Sequence, residues 1–238
     1  HLLAQDGGLQ VVGVARDGIE AIEMTPRLQP DIVLIDVHMP RMDGHEATRH
    51  IMEHWPRPVV MMSASSSRED TLRALDALKA GALTLVSKPG GPDHPRHATD
   101  VRSLLDTVKL MAEVKVVRRW PRRDGAAAAP VAAPSRALER RVRIIAIGAS
   151  TGGPQVLHQV LERLPGGMSV PILIVQHIAA GFTGGLAEWL DQGTLLDVKV
   201  AESGEAARPG CAYVAPEGRQ MGITRDGRIS LEHGDGSD

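Results

Sequence analysis

Aromatic residues are nearly missing from this chain: three Trp, one Tyr and one Phe stand among 238 residues. Its cores must therefore be aliphatic, and a stacked aromatic platform for single-stranded nucleic acid is excluded. The single Cys211 cannot form an intrachain disulfide, which fits a reducing, cytoplasmic setting. No apolar run approaches the ~18–20 residues of a membrane span, and no signal-peptide pattern opens the sequence. Charge of one sign is lacking too. A formal net charge of −2 argues against a general nucleic-acid or anionic-membrane binder. The chain begins at His1 rather than Met and stops in the polar Gly234–Asp238, so both ends read as cut and a fragment is expected. What remains is ordinary for globular domains, 42% hydrophobic and 24% charged, and long enough for two modest cores.

In the first half, apolar runs alternate with helix-period segments. Val11–Ala15 reads as a short strand, and Asp17 then caps a helix presenting Ile19 and Ile22. Asp31–Val37 is nearly continuous in apolar residues, as expected of a parallel strand covered on both faces. Pro58–Ser63 and Leu83–Ser87 read as further strands, with helices over Gly44–His54 and over Arg68–Ala80, the latter stopped by Gly81. A last helix, from about Thr99 to Glu113, places Val101, Leu104, Leu105 and Val108 on one face. Repeated βα units imply a doubly wound parallel sheet.

Residues 113–140 then lose all apolar period. Lys115, Arg118, Arg119, Arg122 and Arg123 precede the Ala/Pro stretch Ala126–Pro134, a composition expected of a solvated, semi-extended linker. From 141 onward the pattern resumes. A buried strand ends near Ile147, a helix spans Pro154–Leu164, and a strand covers Val170–Gln176. A helix around Phe182–Leu190 and short strands near Asp197–Glu202 and Ala212–Ala215 follow. A hairpin is expected through Gly222–Leu231, turning at Asp226-Gly227.

Two sets of residues carry chemistry. Ligands of open α/β sheets gather at the carboxyl ends of the strands. In the first half Asp36, Ser63 and Lys88 close three such strands. A carboxylate, a hydroxyl and an ammonium there can accept, orient and neutralise a phosphoryl group. Spacing alone also leaves open a strand-end Asp held by a structural Lys. The run Asp36-Val37-His38-Met39-Pro40-Arg41-Met42-Asp43-Gly44, with Ser63 and Lys88-Pro89, resembles the response-regulator receiver domain. That resemblance implies Asp36 as phosphoacceptor, Ser63 as switch hydroxyl and Lys88 as phosphate-facing lysine. It also implies Mg²⁺ for phosphorylation, bound by Asp36, by the backbone carbonyl of His38 and by acidic residues ending a first strand. That strand and its carboxylates are absent from this chain. It would lie between Val11–Ala15 and Asp31–Asp36.

In the second half, Gly148-Ala149-Ser150-Thr151-Gly152-Gly153-Pro154 reads as a strand, a small-residue turn carrying one serine, and a helix opening on proline. Its Gly148-x-Ser150-x-Gly152 core fits the nucleophile-elbow pattern, although such turns also bind phosphate or simply turn a corner. His177 follows the next strand, so on parallel neighbouring strands both side chains would emerge at one edge. The imidazole could then take the Ser150 proton as general base. Thr151 either hydrogen-bonds near the site or packs the turn.

The Gly148–Pro154 run with Gln176-His177 resembles the catalytic domain of CheB-type chemotaxis methylesterases. Phe182-Thr183, Pro209-Gly210 and Tyr213-Val214-Ala215-Pro216 extend the likeness, and the receiver–linker–hydrolase order matches over essentially the whole chain. The implied architecture is α/β throughout. Residues 1–112 would form a flavodoxin-like receiver lacking its first strand, 113–140 a linker, and 141–238 an incomplete methylesterase domain.

The implied activity is hydrolysis of glutamate methyl esters, with deamidation of glutamines, on cytoplasmic chemoreceptor helices. It would need no cofactor for hydrolysis and no nucleic acid or membrane insertion. The receiver would obstruct the active site until phosphorylated by the chemotaxis histidine kinase. The family's third catalytic member, an Asp in a Gly-rich motif, would fall beyond Asp238. Asp191, Asp197, Glu202 and Asp226 are available, but none sits in such a motif, and the fragment itself could be inactive. Gln220 stands where that family often has His.

Other clusters read as structural. His50 and His54 have i, i+4 metal spacing beside His45, yet no third ligand completes a zinc motif. His94 and His97 sit in a loop with only Asp93 as an acid. Met39, Met42, Met61 and Met62 are gap-fillers. A different class remains open: a non-catalytic docking module in which a receiver regulates a degenerate domain.

Overall fold

A computed structural model describes residues 2–64, 68–116, 142–150, 152–179 and 181–233, with only the backbone given for 68–70. Most of the expected linker, and Thr151, lie outside the described residues.

The first half builds a three-stranded parallel sheet in the order β1 (Val33–Asp36), β2 (Val59–Ser63), β3 (Thr84–Ser87). Around it lie α1 (Leu2–Gln5), α2 (Gly18–Leu28), α3 (Gly44–His54), α4 (Arg68–Ala80) and α5 (His97–Ala112). Local chemistry sets the helix ends. The Asp17 carboxylate accepts the Glu20 amide at the start of α2, and the Asp43 carboxylate accepts that of Glu46 at the start of α3. After α4 the chain reverses at Gly81, whose φ of +118° favours a residue without Cβ. Val59, Val60 and Met61 of the central strand are fully buried, as expected of a strand with helices on both faces.

One expected strand does not form. Val11–Ala15 belongs to no sheet, and Val11, Val12 and Val14 are exposed. A strand persists only where a neighbour satisfies its backbone groups. Among the described residues, β1 is an edge strand whose free side carries no partner that could bridge to this segment.

The second half forms a four-stranded parallel sheet in the order β4 (Ile145–Ala149), β5 (Ile172–Gln176), β7 (Cys211–Val214), β6 (Asp197–Val200). It carries α6 (Gly153–Leu161) and α7 (Thr183–Gln192), plus an antiparallel hairpin of β8 (Arg219–Ile223) and β9 (Ile229–His233). The hairpin turns through Gly227 at φ +80°. Sequence reading expects a buried strand before Ser150, but β4 is buried on one face only. Ile145, Ile147 and Ala149 pack on the core, while Ala146 and Gly148 are exposed. The strand lies at the edge of its sheet, and no described element covers its second face.

The larger of two hydrophobic clusters among the described residues runs from β2 and α4 of the first sheet into α6, α7 and β5 of the second. The seam is specific. Trp189 Nε1 donates to Asp76 Oδ1 (3.0 Å), Gln155 Nε2 donates to Leu78 O (2.9 Å), and Lys79 Nζ lies 4.9 Å from the centre of the Trp189 ring system. Among the described residues no helix is long and apolar enough to cross a membrane.

Candidate active site and receiver site

The serine site forms at the carboxyl edge of the second sheet. β4 and β5 run parallel with Ala149 opposite Gln176, so Ser150 and His177 are the next residues out on adjacent strands. The His177 amide donates to Ala149 O (3.0 Å), carrying the ladder one residue past the strands. Both residues are exposed, as a substrate-facing pair must be. Beyond Ser150 the chain closes a tight turn: the Gly153 amide donates to Ser150 O (2.8 Å), and Gly152 takes φ +71° to enter α6. Among the described residues no side chain caps this end of α6, where the macrodipole favours negative charge.

Two residues to which sequence reading assigns no role hold this edge. Gln176 Nε2 donates both to Ser150 O (2.8 Å) and to His177 O (2.6 Å). Glu217, in the loop after β7, accepts the Gly181 amide (2.9 Å) and so ties down the segment following His177. The sequence signals for Gln176 are a polar side chain ending an apolar strand and its place beside His177 in the segment that carries the family resemblance. Glu217 offers none, because its role depends on β7 lying beside β5.

The candidate acids have other partners or lie elsewhere. Asp191 Oδ1 accepts the Val198 amide, Asp197 lies 3.9 Å from Arg208, Glu202 pairs with Lys199, and Asp226 accepts the Thr224 hydroxyl. No described carboxylate hydrogen-bonds His177, and the Ser150 and His177 side chains are not bonded to each other among the described residues. The Lys199 ammonium, hydrogen-bonded to Glu205 and Glu202, is pushed up to about 12. Cys211 is no competing nucleophile, since burial pushes its thiol up and keeps it protonated. Gln220 lies on β8, opposite Glu232.

The phosphate-type site forms at the matching edge of the first sheet. Asp36 ends β1, Ser63 ends β2, and Lys88 follows β3. Lys88 Nζ is ion-paired with Asp36 Oδ2, and the Lys88 amide donates to Ser63 O (2.8 Å). The three residues singled out from the sequence therefore come together. His38 stands two residues past Asp36, its amide 3.3 Å from Asp36 Oδ1. A hollow of about 460 Å³ opens beside it, lined in part by Val37, His38, Met39 and Asp43. Among the described residues no group of three His, Cys, Asp or Glu side chains could hold a metal ion. Asp36 and the His38 carbonyl alone do not make a Mg²⁺ site.

Comparison with known proteins agrees with this division. Residues 1–100 match the family described as response regulator receiver domain, and residues 145–237 match CheB methylesterase. A protein-glutamate methylesterase/protein-glutamine glutaminase of Geobacter metallireducens is 47% identical over 95% of this chain and 65% of its own length. One of Myxococcus xanthus is 50% identical over 97% of this chain and 65% of its own, and one of Hahella chejuensis 44% identical over 98% and 68%. The chain thus spans about two thirds of the length of these relatives. With a receiver and a CheB methylesterase domain in that order, and such identity along nearly its whole length, the chain belongs to the CheB family of protein-glutamate methylesterases/protein-glutamine glutaminases.

Proposed function

We propose that this chain carries the nucleophile, the general base and the phosphorylatable switch of a chemotaxis esterase. Its substrates would be glutamate methyl esters, and selected glutamines, on the cytoplasmic helices of chemoreceptors. The observation that carries this reading is the register of β4 on β5, which sets Ser150 beside His177 at one exposed edge. Ser150 Oγ attacks the ester carbonyl while His177 takes its proton. The tetrahedral oxyanion forms near the N-terminus of α6, where backbone amides stabilise it. Collapse expels methoxide, which leaves as methanol with the proton from His177. Water, deprotonated by the same imidazole, then releases the glutamate and restores the serine. Glutamine follows the same course with ammonia as leaving group. No metal takes part in these steps.

Residues 1–112 are read as the regulatory unit, 113–140 as linker and 141–238 as the catalytic part, all acting in the cytoplasm. Phosphotransfer from a histidine kinase to Asp36 would displace its ion pair with Lys88 and draw on Ser63. The helix that follows Ser63 is α4, whose far side packs on α6 and α7. Since α6 begins three residues after Ser150, a shift of α4 would reach the serine turn through rigid helices. Mg²⁺ would need ligands beyond Asp36 and the His38 carbonyl, and no step here is assigned to it. Thr151 is assigned a supporting role.

The test is methanol release from methylated receptor membranes by the product of the complete coding sequence. Ser150→Ala should abolish release. Asp36→Asn should keep the basal rate and lose stimulation by a phosphodonor. One observation favours the docking-module reading, namely that no described carboxylate orients His177. Silence of the folded wild-type protein would support that reading over the enzyme.

A further inference from the structure

The two candidate catalytic residues sit on different strands, and one side chain bridges their backbones. The Gln176 amide nitrogen has two hydrogens, and both are used: one bonds Ser150 O at 2.8 Å, the other His177 O at 2.6 Å. Ser150 O also accepts the Gly153 amide, so the carbonyl of the turn is held from two sides. On the other end of the same amide, Gln176 Oε1 is buried with no hydrogen-bond partner among the described residues. A buried acceptor left unpaired is costly and calls for an explanation. The group reaches this position only because residue 153 is glycine. A Cβ there would stand 1.9 Å from Oε1. Gly153 thus makes room for the amide, and the amide sacrifices one acceptor to place its nitrogen between the two carbonyls.

Building on the esterase reading, we infer that Gln176 is a positioning residue for the serine–histidine pair, with Gly153 as the space that admits it. A single planar nitrogen bonded to both carbonyls fixes their separation more tightly than the edge ladder, which ends with the His177 amide on Ala149 O. The Ser150 and His177 carbonyls exclude the reverse amide orientation, which would set an acceptor against two acceptors. Gln176 itself touches no reacting atom.

The experiment compares wild type, Gln176→Glu, Gln176→Leu and Gly153→Ala in the complete protein, with folding checked by circular dichroism. Glutamate keeps the shape and turns the donor into an acceptor. Leucine removes all hydrogen bonding without a buried orphan oxygen. Alanine at 153 expels the amide while keeping Gln176. Each should lower kcat for methanol release by tenfold or more with KM within about twofold. In Gln176→Glu, the rate relative to wild type should recover as pH falls and the carboxyl regains a proton to donate. Wild-type kcat in folded Gln176→Leu, or in Gln176→Glu at neutral pH, would overturn the inference while leaving the esterase reading intact. A folded wild type that releases no methanol would overturn both.

Discussion

At the scale of single residues, His158 shows how one side chain can report on the contact between the two halves. It stands on α6 with its ring 4.7 Å from that of Trp189 on α7, and its Nε2 is buried without a partner. Burial chiefly, and Lys79 of α4 next, hold this imidazole below its ordinary value, against weaker opposite effects of Glu162 and Asp76. A histidine depressed in the folded state takes up its proton more readily once the contact opens or the chain unfolds. Its contribution to stability is therefore full above the ordinary imidazole value of ~6.5 and is lost as pH falls through and below it. Thermal melting against pH should show a decline on the acid side of neutrality, and His158→Leu should flatten it. The sequence gives no hint of this, because α6 meets Lys79 only after residues more than seventy positions apart are packed together. The proposed catalytic pair is the opposite case. Ser150 and His177 are legible because each ends an apolar run, and strand ends are where parallel sheets present ligands. The role of Gln176 stays hidden because it is a hydrogen bond across strands, which no local pattern encodes.

At the scale of elements, helix termini followed the sequence closely because capping chemistry is local. The expected helices at Gly44–His54 and Arg68–Ala80 are found with those bounds, set by Asp43 and Gly81. Strand formation was less legible, since a strand exists only through its neighbour. Val11–Ala15 has a strand's composition and no partner, and β4 has a buried strand's composition and one open face. The most consequential element is α4, which serves two surfaces, the first sheet on one side and α6–α7 on the other. Its contact with α7 is close-fitting at Gly185, where a Cβ would stand 2.2 Å from Thr71 Cγ2. Gly185→Ala should therefore force α4 from α7. If this seam restrains the serine turn, the substitution should raise basal ester cleavage several-fold without phosphodonor and shrink further stimulation. Asp76→Ala should act in the same direction but weakly. It removes the acceptor of the Trp189 N–H and the ion-pair partner of Lys79, and with Asp76 half-exposed these contacts are worth about 1 kcal/mol or less. Reduced basal cleavage in folded Gly185→Ala would contradict this account of α4.

At the scale of the whole molecule, two parallel sheets place their polar residues at carboxyl edges, and one aliphatic core joins them. With so few aromatics, that core relies on Leu, Ile, Val and Ala, and its few rings count for more. Trp189 and Phe182 both lie buried within it, on or next to α7. The order of receiver and esterase parts was legible from motifs spread along the chain, because each motif sits where a strand ends. The seam between the parts was not, since it depends on which helix faces align once both sheets have formed. The central claim is that Ser150, activated by His177, is a nucleophile. A fluorophosphonate probe followed by peptide mapping of the complete protein tests it most directly. A single adduct on Ser150 in wild type, lost in Ser150→Ala and slowed at least a hundredfold in His177→Ala, is the predicted result. An unlabelled Ser150 in folded protein, or labelling indifferent to His177, would contradict it.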